Sequence, residues 1–303
     1  MKKVLVWIGI VLGALIALIV IAIVGLAIYG NLNFKRSLAN RPLYPIAADT
    51  SPEGLARGKY LMEEAMACTD ACHTPENGPV LSGFYEEFQE GPIAGMIAFP
   101  NLTPDVETGL GSWKDAEIAR AIREGVDKNG VALVLMPAYN YNALSDADIA
   151  AIVGYIRSLD AVKHEIPPFQ LNVVAKIMMA LGAFGQNPVQ DPISEVKVTP
   201  ETGSVAYGQY LVKLGACNDC HQPNLAGGAI PFSDPGSVPA ANLTPGGELV
   251  GWTVDDFIKA VREGLKPSGT ALSEEMPRYG TSDEDLAAIF AYLKTLPPLP
   301  MNQ

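Results

Sequence analysis

The chain has 303 residues and a formal net charge of −12, from 21 Lys and Arg against 33 Asp and Glu. This acidity argues against nucleic acid as a partner and favours basic proteins. Apolar residues make up 49% of the chain and charged residues 18%, and Gly and Pro occur at ordinary frequencies, which excludes disordered, collagen-like and low-complexity sequence. The length allows two domains of ordinary size, each with its own core.

The amino-terminal stretch of residues 4–29 contains no charged side chain. As a helix it would be about 39 Å long, more than the ~30 Å hydrocarbon core of a bilayer. It is also about twice as long as the apolar region of a signal peptide. We therefore predict an uncleaved transmembrane anchor over residues 1–34, with a cleaved signal peptide as the alternative. Basic residues flank the stretch on both sides, at Lys2, Lys3, Lys35 and Arg36, so charge alone does not orient it.

The rest of the chain is an internal repeat with a shift of about 140 residues. The same landmarks occur in the same order in both copies. They are Gly-x-Tyr-Leu from 58 and 208, a Cys…Cys-His motif from 68 and 217, Asn-Leu-Thr-Pro from 101 and 242, a tryptophan at 113 and 252, Arg-Glu-Gly from 123 and 262, and Met-Pro from 136 and 276. The repeat predicts two copies of one domain, at 51–165 and 196–303, joined by a linker at 166–195.

Helical patterns dominate both copies. Each copy ends in an amphipathic run that starts at a capping serine, Ser145 in the first and Ser282 in the second. Three residues later, Asp148 and Asp285 take the place of the Glu or Gln of a capping box. Helices also fit residues 114–125 and 254–264. The apolar stretch 169–184 is too short to cross a membrane and is predicted to be a connecting or membrane-surface helix. No stretch alternates for long enough to require a sheet, so we predict an all-α fold.

The second copy carries a Cys-x-x-Cys-His motif at 217–221. This spacing allows Cys217 and Cys220 to attach to the edge of a haem while His221 binds the iron. A zinc site would need four ligands, and this copy has two cysteines and one histidine. A redox dithiol would normally accompany a βαβ pattern, which the sequence lacks. The motif therefore predicts covalently attached haem c, against zinc, disulfide and dithiol alternatives.

The first copy has one extra residue, Ala71, between Cys68 and Cys72, and His73 follows directly. On a helix, residues i and i+4 share a face almost as well as i and i+3, so both sulfurs could still reach a haem. We predict a second haem here. Two alternatives stay open, a single thioether bond or a site that keeps only a disulfide.

The second axial ligand follows by elimination. The chain has three histidines, of which His164 has no counterpart in the other copy, so bis-histidine ligation of both haems is impossible. Met136 and Met276 occupy equivalent positions, whereas Met96 and the methionines of the linker do not. Ligation by His and Met leaves no open position for a substrate and favours electron transfer over catalysis. Four further recurring residues could contact haem propionates or fill the core; they are Trp113, Trp252, Arg123 and Arg262.

Together these motifs resemble tandem class I cytochrome c domains, especially those of the membrane-bound cytochrome c subunits of bacterial alcohol and gluconate dehydrogenases. The resemblance covers residues 51–299. It implies two haem c groups bound through the four cysteines Cys68, Cys72, Cys217 and Cys220, with axial pairs His73–Met136 and His221–Met276. It also implies an amino terminus in the cytoplasm and haem domains on the periplasmic side of the cytoplasmic membrane. The chain departs from those subunits in holding two haems instead of three and in the insertion of Ala71.

These observations predict an electron carrier that is not itself an enzyme. We expect a membrane-tethered dihaem cytochrome c that passes single electrons from a membrane or dehydrogenase donor to a soluble or oxidase acceptor. Its expected partners are redox proteins, either a basic soluble cytochrome or a membrane or dehydrogenase complex, and not nucleic acid. The alternatives are a dihaem peroxidase, which needs an open iron site, and a partner-binding cytochrome in which only the second haem functions.

Overall fold

The structure is a computed structural model that describes residues 2–34, 38, 40–66, 68–182, 187–231, 233 and 236–302. It is mostly helical. The α-helices are α1 (Lys2–Phe34), α2 (Pro52–Tyr60), α3 (Asp115–Glu124), α4 (Ala138–Tyr141), α5 (Asp146–Ser158), α6 (Val173–Ala180), α7 (Val205–Leu214), α8 (Cys217–His221), α9 (Val254–Glu263) and α10 (Asp283–Thr295). The strands are β1 (Phe84–Glu90), β2 (Ile93–Phe99) and β3 (Gln170–Leu171).

Helix α1 contains a span, Val6–Leu32, that is long and apolar enough to cross a membrane, with a mean hydropathy of 3.2. The span is exposed except near its carboxyl end, where Ala27 and Asn31 are partly buried and Gly30 is buried. Its carboxyl end packs against α6. A Cβ atom added at Gly30 would lie 2.9 Å from the carbonyl oxygen of Lys176. A glycine at this position therefore permits the close approach of the two helices.

Helices α2, α3 and α5 of the first copy recur in the same order as α7, α9 and α10 of the second copy. In the first copy α2 packs on α5, and in the second α7 packs on α10. Gly58 and Gly208 lie at these crossings, where an added Cβ would be 2.1 Å from the Ala151 carbonyl oxygen and 2.0 Å from that of Ala288, respectively. The glycine of each Gly-x-Tyr-Leu landmark is thus required by helix packing.

The predicted serine caps of α5 and α10, the last helix of each copy, are present. The Ser145 hydroxyl accepts a hydrogen bond from the Asp148 amide at 3.0 Å, and the Ser282 hydroxyl accepts one from the Asp285 amide at 3.2 Å. The carboxylates of Asp148 and Asp285, which we expected to complete capping boxes, accept hydrogen bonds from the opposite copy of the repeat.

These contacts are reciprocal between the copies. Tyr210 of the second copy donates its hydroxyl to Asp148 at 2.7 Å and accepts from the Ser145 amide at 3.1 Å. Tyr60 of the first copy donates to Asp285 at 2.6 Å and accepts from the Ser282 amide at 3.1 Å. One hydrophobic cluster runs through both copies. The tyrosine of each Gly-x-Tyr-Leu landmark thus joins one copy to the helix cap of the other.

The all-α prediction holds for most of the chain but missed a three-stranded antiparallel sheet with the order β1-β2-β3. Neither long strand has one buried and one exposed face: most of β1 is exposed and all of β2 is partly exposed. An alternating pattern is therefore missing. In the linker, the predicted helix 169–184 is shorter, with β3 before α6, and its last residues lie outside the described part of the chain.

Candidate haem sites

The second copy encloses a cavity of about 530 Å³. Four predicted ligands line it together with a recurring tryptophan; they are Cys217, Cys220, His221, Met276 and Trp252. The remaining lining is mostly apolar, from helices α7, α9 and α10. Cofactor sites of this kind measure roughly 300–1,000 Å³ and combine an apolar lining with few polar groups. Two thiols, an imidazole and a thioether around one apolar cavity suit a covalently attached haem.

Each histidine is held in one tautomer by a backbone carbonyl. His73 Nδ1 lies 3.0 Å from the carbonyl oxygen of Pro100, and His221 Nδ1 lies 2.7 Å from that of Ala241. Because a carbonyl oxygen only accepts, Nδ1 carries the proton and Nε2 is left as the metal-binding atom. The carbonyls also orient both rings.

Burial lowers the pKa of both imidazoles. The pKa of His73 falls to about 4 because its ring is removed from water, although the bond to Pro100 opposes the shift. The pKa of His221 is lowered for the same reason. Both side chains are therefore neutral near pH 7, which is the state that binds a metal.

The Asn-Leu-Thr-Pro landmark fixes the loop that supplies the carbonyl. In the first copy Asn101 Oδ1 accepts from the Thr103 amide at 3.0 Å and hydroxyl at 2.7 Å, while Asn101 Nδ2 donates to the Val162 carbonyl at 2.8 Å. The second copy repeats this arrangement with Asn242, Thr244 and the Leu299 carbonyl. The landmark is recognisable in the sequence, but the carbonyl one residue before it is not, because a backbone acceptor leaves no residue signature.

Burial raises the pKa of all four thiols, to about 12 for Cys68 and Cys217. A redox dithiol needs a lowered pKa so that a thiolate is present, which disfavours that alternative. The cysteines are also free, so Cys68 and Cys72 are not joined in a disulfide.

The attachment turns differ between the copies. Cys217–His221 forms the α-helical turn α8, whereas Cys68–His73 forms a π-helical turn. The Thr74 amide donates to the Thr69 carbonyl at 3.1 Å, five residues earlier. A π-helical turn contains one more residue than the corresponding α turn and is common at functional sites. The inserted Ala71 is accommodated in the backbone of this wider turn.

The two methionine loops share a backbone hydrogen bond at the methionine. The Met136 amide donates to the Leu133 carbonyl and the Met276 amide to the Ser273 carbonyl, each at 3.2 Å. Each loop follows an isolated bridge, Val126 to Ala132 in the first copy and Leu265 to Ala271 in the second. Met276 lines the cavity, and Met136 packs against the hydrophobic core.

The recurring arginines have a structural function. Arg123 donates to the Leu144 carbonyl at 2.6 Å and pairs with Asp146, also at 2.6 Å, which ties the end of α3 to the start of α5. Arg262 repeats this contact with the Thr281 carbonyl and Asp283. Arg123 is buried, in agreement with the core alternative, whereas Arg262 is exposed and makes the same contacts at the surface.

Each copy contains a cysteine pair, a neutral histidine and a methionine loop, and in the second copy these groups line one cavity. This set of groups is typical of c-type cytochromes. A family model described as cytochrome c oxidase, cbb3-type, subunit III, matches residues 53–156 and 203–293. The chain therefore belongs to this family, with one matching segment in each copy.

Curated relatives agree with this assignment. The chain is 28% identical over 285 residues to the cytochrome c subunit of the quinone-dependent alcohol dehydrogenase of Gluconobacter oxydans, covering 84% of this chain and 57% of that protein. It is 30% identical over 280 residues to the gluconate 2-dehydrogenase cytochrome c subunit of Pantoea cypripedii, covering 83% and 62%. A dihaem c-type cytochrome of Cereibacter sphaeroides is 28% identical over 226 residues, covering 68% and 73%.

The chain thus spans less than two thirds of the length of the two dehydrogenase subunits it matches. The two matched segments and the dihaem relative confirm the prediction of two haem c groups. The resemblance to cytochrome c subunits of dehydrogenases, inferred from the motifs, is confirmed as well.

Proposed function

We propose that the chain is a membrane-tethered dihaem cytochrome c that relays single electrons from a dehydrogenase or membrane donor to a soluble or oxidase acceptor. The cavity that brings His221 and Met276 together with Cys217 and Cys220 carries this proposal. Two protein ligands on one iron leave no position for a substrate, and the bound haem then supplies one-electron chemistry between ferrous and ferric iron. A peroxidase would need an open site.

In the proposed assignment, Cys68 and Cys72 hold the first haem and Cys217 and Cys220 the second. His73 with Met136 would bind the iron of the first haem, and His221 with Met276 would bind the iron of the second. The copies 51–165 and 196–303 are the two haem domains. The neutral state of both imidazoles and their carbonyl partners support the histidine assignments, and the π-helical turn supports attachment at the first site despite Ala71.

We place the amino terminus in the cytoplasm and both haem domains in the periplasm. The packing of α1 on α6 supports a retained anchor, because cleavage of α1 would remove the close contact between Gly30 and the backbone of Lys176. The dehydrogenase subunits among the relatives favour a dehydrogenase complex as donor. The net charge of −12 favours a basic acceptor whose association slows as salt is added.

The covalent haem count tests the site assignment. Wild type and two double variants, Cys68→Ala/Cys72→Ala and Cys217→Ala/Cys220→Ala, would be matured in a host that assembles c-type cytochromes. Pyridine haemochrome spectra and intact masses should give two haems in the wild type and one in each variant. If the wild type has a single haem, and the Cys68→Ala/Cys72→Ala variant keeps that haem, the proposal of a two-haem relay is wrong.

Potentiometric titration tests the axial methionines. Replacement of the methionine ligand by histidine lowers a haem potential, within the ~0.8 V range that axial ligands control. Met136→His and Met276→His should each lower one of the two potentials and leave the other in place. Met96→Leu, in strand β2, is the matched control and should change neither. Peroxide turnover by the wild type would instead favour the enzyme alternative.

A further inference from the structure

Helix α6 and its carboxyl-terminal cap have apolar side chains that remain exposed among the residues that the structure describes. Val173 is 55% exposed, Val174 39% and the capping residue Leu181 63%. We call these three residues the α6 surface. The helix contains no acidic residue, in contrast to the acidic chain as a whole, and its one charged residue is Lys176. Scattered exposed apolar residues are ordinary in proteins, so the position of this surface decides what it contacts.

The contact with α1 sets that position. On α1, Ala27, Gly30 and Asn31 are less exposed than their neighbours, and Gly30 is buried against the backbone of Lys176. Gly30 lies about 16 Å along the helix axis from Ile19, the middle residue of the span Val6–Leu32. Half of a bilayer's hydrocarbon core measures about 15 Å. With Ile19 at the midplane of the bilayer, helix α6 would therefore lie level with the boundary between hydrocarbon and headgroups.

We propose that the α6 surface binds the lipid surface of the membrane in which α1 is anchored. Apolar side chains at this depth contact the acyl boundary. The absence of acidic residues from α6 avoids repulsion by anionic lipids. The partner is thus lipid, and the inference rests on the proposed anchor but on no part of the electron-transfer function.

This contact would reach the first haem site through the sheet. The Asn172 amide, at the start of α6, donates to the Ala94 carbonyl of β2 at 2.9 Å. Strand β2 ends at Phe99, next to Pro100, whose carbonyl holds His73. A second membrane contact would stop rotation of the first copy about the single anchor helix, and it would fix the direction in which the haem site faces.

The test compares two valines at the same helical position. Val173 is the first residue of α6 after the capping Asn172, and Val205 is the first residue of α7 after the capping Ser204, with exposures of 55% and 44%. Full-length holoprotein carrying Val173→Cys or Val205→Cys would be placed in phosphatidylcholine nanodiscs. Each introduced thiol would react with a charged, membrane-excluded maleimide and with a neutral one, followed by intact mass. Leu181→Cys provides a second site on the α6 surface.

We expect the ratio of charged to neutral reaction rates to be at least about tenfold lower at Val173→Cys and Leu181→Cys than at Val205→Cys, a difference equivalent to about 1.4 kcal/mol. Equal ratios in lipid would overturn the inference. Shielding that requires a co-purified protein subunit would also overturn it, since the partner would then be protein. Protein that does not stay with the nanodisc would overturn the proposed anchor. This outcome distinguishes failure of the anchor from failure of the contact between α6 and lipid.

Discussion

The Tyr210 hydroxyl in the second copy donates a 2.7 Å hydrogen bond to the Asp148 carboxylate at the start of α5 in the first copy. Both side chains are buried. Asp148 also accepts from Arg57 Nε at 2.8 Å, and Arg57 reaches the Tyr207 hydroxyl at 3.2 Å. The Asp148 carboxylate is therefore neutralised by Arg57 of its own copy and accepts a hydrogen bond from Tyr210 of the other copy.

Loss of this tyrosine hydroxyl should weaken the contact between the copies. Tyr210→Phe leaves the buried Asp148 carboxylate and the Ser145 amide without one partner each, which costs roughly 1–3 kcal/mol of unfolding free energy. Urea unfolding followed by haem absorbance measures the change. Tyr85→Phe, on a residue that is 49% exposed in β1, is the control and should stay within about 0.5 kcal/mol of wild type. A Tyr210→Phe protein as stable as that control would contradict the prediction.

The equivalent tyrosine predicts a loss of stability in alkali. Burial and the hydrogen bond to Asp285 raise the pKa of Tyr60 from 10.0 to about 12. The folded state keeps this proton after the unfolded state has lost it, so the contribution of Tyr60 is complete below pH 10 and is lost as pH rises from 10 towards 12. The difference in unfolding free energy between wild type and Tyr60→Phe should therefore shrink over this window.

Urea titrations from about pH 8 to about pH 11 measure that difference, and the comparison with Tyr60→Phe removes the effect of other tyrosines. A difference that stays constant up to the highest pH would show that the hydroxyl of Tyr60 is not coupled to Asp285.

Deletion of Ala71 should convert the π-helical turn Cys68–His73 into an α turn like Cys217–His221. In both turns the two cysteines lie on the same side of the helix, so we expect the variant to keep two covalent haems per chain. Intact mass and pyridine haemochrome spectra give this ratio. A fall to one haem would show that the first site depends on the wider turn.

The reverse change is the matched comparison. An alanine inserted before Cys220 would have to widen α8, which lies between two non-glycine residues at positive φ, Ala216 at 53° and Gln222 at 68°. These constrained residues leave little room for adjustment, and we expect the second haem to be lost. Full loading of this insertion variant would refute the constraint.

The contact between α1 and α6 should be sensitive to volume at one glycine. Gly30→Leu would push its side chain into the α6 backbone. Gly25→Leu is the control, because a Cβ atom added at Gly25 has no other atom within 4 Å. Overpacking of this kind costs about 1–3 kcal/mol. Hydrogen exchange of the α6 amides should become about tenfold faster or more in Gly30→Leu alone. Equal exchange in both variants would place α6 away from α1.

The repeat, the helix caps and the motif residues were predictable because their signals are side chains at fixed spacing. Ser145 and Ser282 begin their helices as expected, and the cavity of the second copy contains the predicted His221 and Met276. The sheet was not predictable from strand β2, which reads Ile-Ala-Gly-Met-Ile-Ala-Phe and is partly exposed along both faces.

Contacts that backbone atoms make, and contacts between the two copies, could also not be predicted from the sequence. The carbonyls of Pro100 and Ala241 would be the same with any other residue at those positions. The prediction that the Asp148 carboxylate completes a capping box was wrong. The local sequence pattern favours such a box, but the folded chain brings Tyr210 to this carboxylate from 62 residues away. Long-range partners of this kind override local preferences.

The reciprocal contacts of Tyr60 and Tyr210 have the form of an isologous dimer interface, in which one patch is complementary to itself. The chain behaves here as two fused subunits, and the linker raises their effective concentration without supplying this contact. A change in one tyrosine alters the helix cap of the other half. The two haem-binding halves can therefore diverge freely at their outer surfaces but have to change together along this shared face.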